Sequence, residues 1–500
     1  MRRQGEATRR ARTGRVAPRP GAKAARVAPQ HTTVTSRLPV KILCCGDVHI
    51  GRRSARLPEH VDGREVSSAA CWTRIVDLAL AEKVDVVALS GDVVDQANRY
   101  YEATGPLEAG IRRLAEAGIL TVAVAGNHDH DVFPRLADEL GGDRFRLLGR
   151  GGRWERVTAR RGGEAIHVVG WSFPEARVRE SPLGSFALGS PGDDAPVLGL
   201  LHADLDQPGS DYAPVSLAEL RAAPVDFWLL GHIHAPRLFE EPGAAPVLYP
   251  GSPQALDPGE PGAHGVWIVE VGPGRSFRAR MVPLSSVRYD AVEVDVDGVA
   301  DPAEVDRRVT TALRAHLADV ASGGDALRHL SCRLRVVGRT PLHRSIAARL
   351  EALRTDLELG SGPVAGYVES VEVRTRPARD LAELAQGNDP VGLLARLLLA
   401  LEAGGEGRDE AATAAGAAGE SRGKAAPPAD AGAPIGAGVA VSEDLEPLLR
   451  DAAAAVQDVY AAKPYLGLGD DVDARAVAAG ALARQAALLL DELLAQKEGA

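Results

Sequence analysis

No stretch of this 500-residue sequence approaches eighteen uninterrupted apolar residues, which excludes a membrane-spanning helix. The N-terminus also lacks the apolar core of a secretory leader, so the expected location is the cytoplasm. Cysteine is scarce: Cys44, Cys45, Cys71 and Cys332 have neither zinc-ligand nor disulfide-framework spacing. Aromatic residues make up only 4% of the chain, and they are unevenly spread. All seven Phe and all five Trp lie between Trp72 and Phe277, while residues 279–500 hold four Tyr. That shift marks a boundary near residue 283. What is present is 45% hydrophobic and 25% charged, the make-up of a globular chain with ample core. The length calls for several domains.

The net charge of −10 hides an asymmetry. Residues 1–38 carry ten Lys or Arg against one Glu, a charge of +9 that leaves −19 for the rest. An acidic body does not attract nucleic acid through net charge, so local basic groups or metal ions must make any phosphate contact. The tail has almost nothing to bury and reads as disordered. Two alternatives stay open: its arginines touch nucleic acid, or translation starts near Val34.

Between residues 39 and 283, short apolar runs alternate with helical patterns. The runs span 40–47, 84–92, 119–129, 165–173, 196–204, 225–234 and 263–271. Each holds four to eight apolar residues, β-branched in part, and reads as a buried strand. Helices fit around 66–82 and 106–117. Strands alternating with helices, then strands following strands, predict an α/β fold: a layered β-sandwich flanked by helices. Residues 284–380 read as a small α+β domain, with an alternating strand from Val287 to Val296 and a helix begun by Asp301 and Pro302. Further along come a strand near 329–337, a helix near 341–357 and a strand holding Val368, Val371 and Val373. A Leu-rich helix over 381–402 starts from Asp389 and Pro390, an N-cap followed by Pro at the first position. Residues 403–440 are rich in Ala, Gly and Pro and read as a linker. The last segment, 441–500, holds helices near 443–462 and 472–496.

The chemistry-bearing residues sit where these strands end. The first strand gives Asp47 and His49, two apart, which on an extended strand share one side. Asp92 follows in GDVVD, and Asn127 and His128 in GNHD. His202 comes next, then His232 and His234, again two apart. A single Asp after Gly is a turn residue, and a single His at a strand end is an ordinary hydrogen-bonded group. Seven side chains of ligand type at one edge have no such structural need. Carboxylates, imidazoles and an amide oxygen without thiolate suit Mn²⁺, Fe²⁺, Zn²⁺ or Mg²⁺. Seven donors exceed the demand of one ion with open positions but suit two ions sharing a carboxylate, roughly 3.5–4 Å apart, that activate water for phosphate chemistry.

The ordered set D-x-H, GD-x-x-D, GNHD, H, GH-x-H resembles the calcineurin-like metallophosphoesterases. DVHIG at 47–51 and YPGSPQAL at 249–256 are similar to the SbcD-type DNA repair exonucleases, and LLHADLDQPGSDYAPVSLAEL to their YhaO-like branch. The resemblance covers about 40–400. It implies one metal, most often Mn²⁺, held by Asp47, His49, Asp92 and His234. A second falls to Asp92, Asn127, His202 and His232, with Asp92 bridging. His128 then stands beside the scissile phosphate, and Asp95 holds it. Arg52 and Arg53 are candidate phosphate contacts or plain solvated arginines. Tyr249 and Ser252 are further substrate candidates. Asp129 and His130 receive no chemistry, and His167, His264, His316, His329 and His343 match no motif.

The implied activity is exonucleolytic, and also endonucleolytic, hydrolysis of DNA, with 284–380 as a DNA-capping domain. The implied partners are DNA, an SMC-like ATPase of the SbcC or YhaN kind, and a second copy through helices near 66–118. The C-terminal helices either dock the ATPase or pack back on their own chain. Competing functions are a phosphomonoesterase or nucleotide phosphodiesterase of the same superfamily, and a non-catalytic scaffold.

Overall fold

The structure is a computed structural model that describes residues 39–95, 99–161, 164–189, 191–324, 326–357, 359–406, 450–451, 453–454 and 474–499. The basic tail, most of the 403–440 linker and most of the 443–462 helix fall outside these residues. Two six-stranded sheets face each other in the first domain. The first runs β1 (Val40–Cys45), β2 (Val86–Ser90), β3 (Leu120–Val124) and β4 (Phe145–Leu147) in parallel. Helices α1 (Ser68–Glu82), α2 (Arg99–Glu116) and α3 (Phe133–Leu140) connect them. The other sheet holds β5 (Glu155–Arg161), β6 (Glu164–Trp171), β7 (Val197–His202), β8 (Phe227–Gly231), β9 (Arg237–Phe239) and β10 (Val247–Tyr249), in the order β5-β6-β7-β8-β10-β9. Helix α4 (Leu217–Ala222) leads into β8. The chain then returns to the first sheet, where β11 (Gly265–Gly272) pairs antiparallel with β1 and β12 (Ser276–Pro283) with β11.

Apolar side chains from both sheets fill the interface: Ile42, Cys44, Ala88 and Val122 from one, Val168, Leu200, Phe227 and Leu229 from the other. Their neighbours in sequence, Leu43, Val87 and Leu89, face α1 to α3. A parallel strand buried on both faces must be apolar without alternation, which is why these segments read as unbroken runs.

The second domain is a four-stranded sheet ordered β13 (Val287–Asp295), β14 (His329–Arg339), β16 (Val364–Arg376), β15 (Leu359–Ser361). Helices α5 (Pro302–Ala321) and α6 (Ile346–Asp356) cover one face through Val309, Leu313, Leu317 and Leu350. Asp301 caps α5 by accepting from the Ala303 N–H, with Pro302 at the first position. The other face alternates charged residues in register with the buried ones.

The short α7 (Leu381–Leu384) leads to α8 (Pro390–Glu406), against which α9 (Ala474–Gly499) packs through Val391, Leu398, Ala486 and Leu490. Of the two roles left open for these helices, packing onto their own chain is the one described. Asp491 of α9 takes ion pairs from Arg339, Arg376 and Arg379 of the second domain. No helix among the described residues is long and apolar enough to cross a membrane.

The two domains are joined by more than the chain at 283. Residues 52–54 pair with 66–68, and the excursion between them runs under the second domain. There Val66, Leu57 and Val61 pack with Ala255, Val287 and Tyr289, and the Tyr289 hydroxyl donates to the Ala55 carbonyl.

Candidate metal centre

The sequence ligands leave their strands before they act. β1 ends at Cys45, and Asp47 and His49 lie in the turn that follows, with φ of +51° and +49°. The expected extended D-x-H spacing is thus replaced by left-handed backbone at both positions. Asp92 and His232 share that sign, at +50° and +99°. Non-glycine residues enter this region at a cost, and such residues cluster at functional sites. Backbone bonds hold the turns together: Asp47 N–H to the Gly91 carbonyl and His49 N–H to the Asp92 carbonyl, both at 3.0 Å.

Each ligand motif begins with glycine for a steric reason. A Cβ at Gly91 or Gly231 would come within 2.6 Å of the His202 ring, and one at Gly126 within 2.2 Å of the Asp92 carboxylate. The glycines are the space into which other motifs' ligands fit.

The side chains converge in three overlapping groups: Asp47, His49 and His234; His49, Asp92 and His128; Asp47, Asp92 and His202. Asp47, His49, Asp92 and His202 are buried. His202 Nε2 lies 3.0 Å from Asn127 Oδ1 and 3.4 Å from Asp92 Oδ2. On the other side of Asp92, His49 Nε2 faces His234 Nε2 at 3.1 Å. His128 donates its backbone N–H to Asp92 Oδ1 at 2.9 Å while its ring, 37% exposed, sits edge-on to His49 at the mouth. His232 donates its N–H to both Asp47 oxygens and lies 5.3 Å, ring to ring, from His202.

Electrostatics reflect this crowding. Burial alone would raise the Asp92 carboxyl, but His202, His49 and His128 outweigh it and hold it below the usual range. Desolvation pulls His202 down, and Asp92 more than reverses that, to about 9. Desolvation lowers His128 despite Asp92.

Asp95 lies 3.5 Å from His49 Nδ1 and 3.8 Å from His128 Nδ1, so it serves the ligand at least as closely as the mouth histidine. Arg52 and Arg53 line a cavity of about 430 Å³ with Gly51, Asp62, Arg64 and Ser67. Tyr249 and Ser252 are placed otherwise than expected for substrate contacts. Tyr249 is 3% exposed and donates to the Ala203 carbonyl at 2.7 Å. Ser252 is fully buried, and its hydroxyl donates to Glu260 Oε2 at 3.2 Å. Both support the site from behind.

Three acids escaped the sequence reading. Asp129 accepts from Gly126 N–H and Val93 N–H at 2.7 Å each, tying the GNHD turn to the GDVVD turn. Burial and the neighbouring Asp92 raise it to about 7. Glu260 meets His234 Nδ1 at 2.6 Å and Asp204 meets His232 Nε2 at 3.3 Å. Glu260 and Asp204 act only through a histidine distant in sequence, so no local spacing announces them.

Residues 40–236 match the family model for calcineurin-like phosphoesterases, and 289–376 match that for the metallophosphoesterase YhaO middle domain. The chain carries a calcineurin-like metallophosphoesterase domain followed by a YhaO-type middle domain. Metallophosphoesterases of this family typically use two divalent metals. The uncharacterized metallophosphoesterase YhaO of Bacillus subtilis is 30% identical over 232 residues, covering 44% of this chain and 54% of its own. The DNA double-strand break repair protein Mre11 of Sulfurisphaera tokodaii is 27% identical, covering 43% and 54%. That of Methanopyrus kandleri is 28% identical, covering 53% and 61%. The metallophosphoesterase thus aligns with little more than half the length of these relatives.

The donor set fits metal ions on its own geometry. His234 Nδ1 meets a carboxylate, which only accepts, so the proton sits there and Nε2 carries a lone pair. That lone pair is aimed at His49 Nε2, and two imidazole nitrogens facing at 3.1 Å are reconciled by a cation.

Proposed function

We propose that this metallophosphoesterase is a two-metal phosphodiesterase that degrades DNA from its ends and also cuts internally, as the nuclease subunit of an SMC-like ATPase complex. The observation that carries the proposal is the gathering of ligand side chains on both sides of Asp92, with His128 at the mouth. Asp47, His49, Asp92 and His234 would hold one ion, and Asp92, Asn127, His202 and His232 the other, with Mn²⁺ the ion we favour. Bound there, the ions supply Lewis acidity and an activated water.

The chain's own residues do the rest. His128, part-exposed and held by its backbone to Asp92, faces the phosphate and stabilises charge on its oxygens or passes a proton to the leaving oxygen. Asp95 limits the rotation of that ring and of His49. Arg52 and Arg53 have no acidic partner within 4 Å among the described residues, and their cavity adjoins the DVHIG turn. They are suited to phosphates of a longer chain, which a monoester lacks. Similarity to proteins named Mre11 supports DNA as substrate. Exposed Leu393, Leu488 and Leu489 on the α8–α9 hairpin offer the apolar surface that an ATPase partner would cover. A homodimer through α1 and α2 belongs to the same proposal.

The test is cleavage of end-labelled duplex and single-stranded DNA by the full chain with Mn²⁺, beside His128→Ala. Laddering or loss of label in the parent alone is expected. Turnover of p-nitrophenyl phosphate with intact DNA would replace the nuclease reading by the monoesterase one.

A further inference from the structure

We propose that Glu260 and Asp204 are positioning residues that fix His234 and His232 in opposite tautomers, so that the two histidines of Gly-His-Ile-His turn different ring nitrogens to the metal centre. The inference rests on the two-metal reading and adds to it the groups that orient the ligands.

The four buried or half-buried imidazoles each have one ring nitrogen backed by an oxygen. His202 Nδ1 stands 3.0 Å from the Ser90 carbonyl, His234 Nδ1 2.6 Å from Glu260, and His49 Nδ1 3.5 Å from Asp95. Carbonyls and carboxylates only accept, so the proton belongs on Nδ1 and the lone pair on Nε2. The Nε2 atoms of these three rings are the ones that approach Asn127, Asp92 and one another. His232 alone is reversed. Its Nε2 is the atom that faces a carboxylate, Asp204 Oδ1 at 3.3 Å, which leaves the lone pair on Nδ1.

The reversal has a backbone cause. His232 sits at φ +99° with its N–H on the Asp47 carboxylate, which brings its Cβ close to the centre. A ring rooted that near presents its near nitrogen, Nδ1. His234, two residues on, reaches in with its far nitrogen, Nε2. One short motif can thereby serve two separate ions.

Both carboxylates are themselves held. Glu260 Oε2 accepts from Leu256 N–H at 2.7 Å and from the Ser252 hydroxyl. Asp204 Oδ2 accepts from the Ser210 hydroxyl, and Tyr212, next but one in sequence, lays its ring 4.9 Å from that of His232. A ligand whose second nitrogen is anchored in this way keeps its orientation and gains basicity toward a metal.

The experiment is calorimetric titration of the metal-free full chain with Mn²⁺, joined to ¹⁵N imidazole shifts of the same protein. The parent should bind two equivalents. Glu260→Ala and Asp204→Ala should each weaken a different one by about 10–100-fold. Glu260→Gln and Asp204→Asn, whose amide oxygen still accepts the ring N–H, should recover most of the affinity. The shifts should place the proton on Nδ1 of His234 and on Nε2 of His232. Two equivalents with unchanged affinity in both alanine variants would overturn the inference, as would a His232 protonated on Nδ1. A parent that binds fewer than two equivalents would overturn the two-metal reading instead, and the shifts on the parent decide the tautomers even if a variant fails to fold.

Discussion

Both sheet domains of this metallophosphoesterase gather ionisable side chains on one side of parallel strands, but they treat the charge in opposite ways. At the metal centre Asp47 and Asp92 are at most 2% exposed, and their neighbours are imidazoles rather than fixed cations. On the open face of the second domain Arg335 meets Glu372 at 3.0 Å and Glu293 at 3.6 Å, and Arg333 meets Glu369 at 3.4 Å, all with substantial access to water. Burying a charge is costly unless a partner compensates it, whereas an exposed pair gains little because water already solvates both members. The first arrangement is incomplete without ions, and the second is complete in itself.

The sharpest way to break this comparison is Asp92→Ala. DNA cleavage should fall by a factor on the order of 10³ or more, and the rise in melting temperature that Mn²⁺ gives the parent should disappear, which differential scanning calorimetry would show. Next comes Leu313→Ala under α5, where a fully buried side chain is lost. About 2–5 kcal/mol of stability should go, read by urea unfolding, with two Mn²⁺ equivalents still bound. Chelation of the parent should be milder, removing about 2.7 kcal/mol relative to metal at a hundred times its dissociation constant.

Asp491 gives a smaller, pH-dependent effect. Burial raises its carboxyl, but Arg339, followed by Arg379 and Arg376, hold it below the ordinary value of 3.8. The folded state therefore binds fewer protons than the unfolded one. Its contribution is complete above that ordinary value and drains away as pH falls through the lower folded one. Amide exchange in α9 should accelerate between pH 5 and about pH 3, and Asp491→Asn should flatten that dependence. The smallest effect expected is from Arg335→Ala, with no measurable change in melting or metal binding. A loss of metal there would mean that the open face and the centre are coupled after all.

How much was readable in advance follows from the same physics. The central strands announced themselves because burial on both faces leaves unbroken apolar runs. Edge strands did not: β5 reads Glu-Arg-Val-Thr-Ala-Arg-Arg, and β4, β9 and β10 are three residues each. The ligand types were visible because they recur two apart at strand ends. Their left-handed backbone was not, since nothing in Asp or His requires it. Asp204 and Glu260 stayed hidden because each works through a single ring nitrogen contributed by another loop. Tyr249 and Ser252 were misread because following Gly-His-Ile-His in sequence does not place a residue in front of it.

The excursion between Arg53 and Val66 has a bearing on modularity. The composition shift near 283 suggests two cassettes that recombination or truncation might separate cleanly. Yet the first cassette lends the second part of its floor, because Val66 and Ala255 close over Val287 and Tyr289. A chain cut at 283 would carry that floor bare and ready to aggregate, and a foreign cap grafted there would need a loop from residues 51–68 tailored to it. The inheritable unit is the pair.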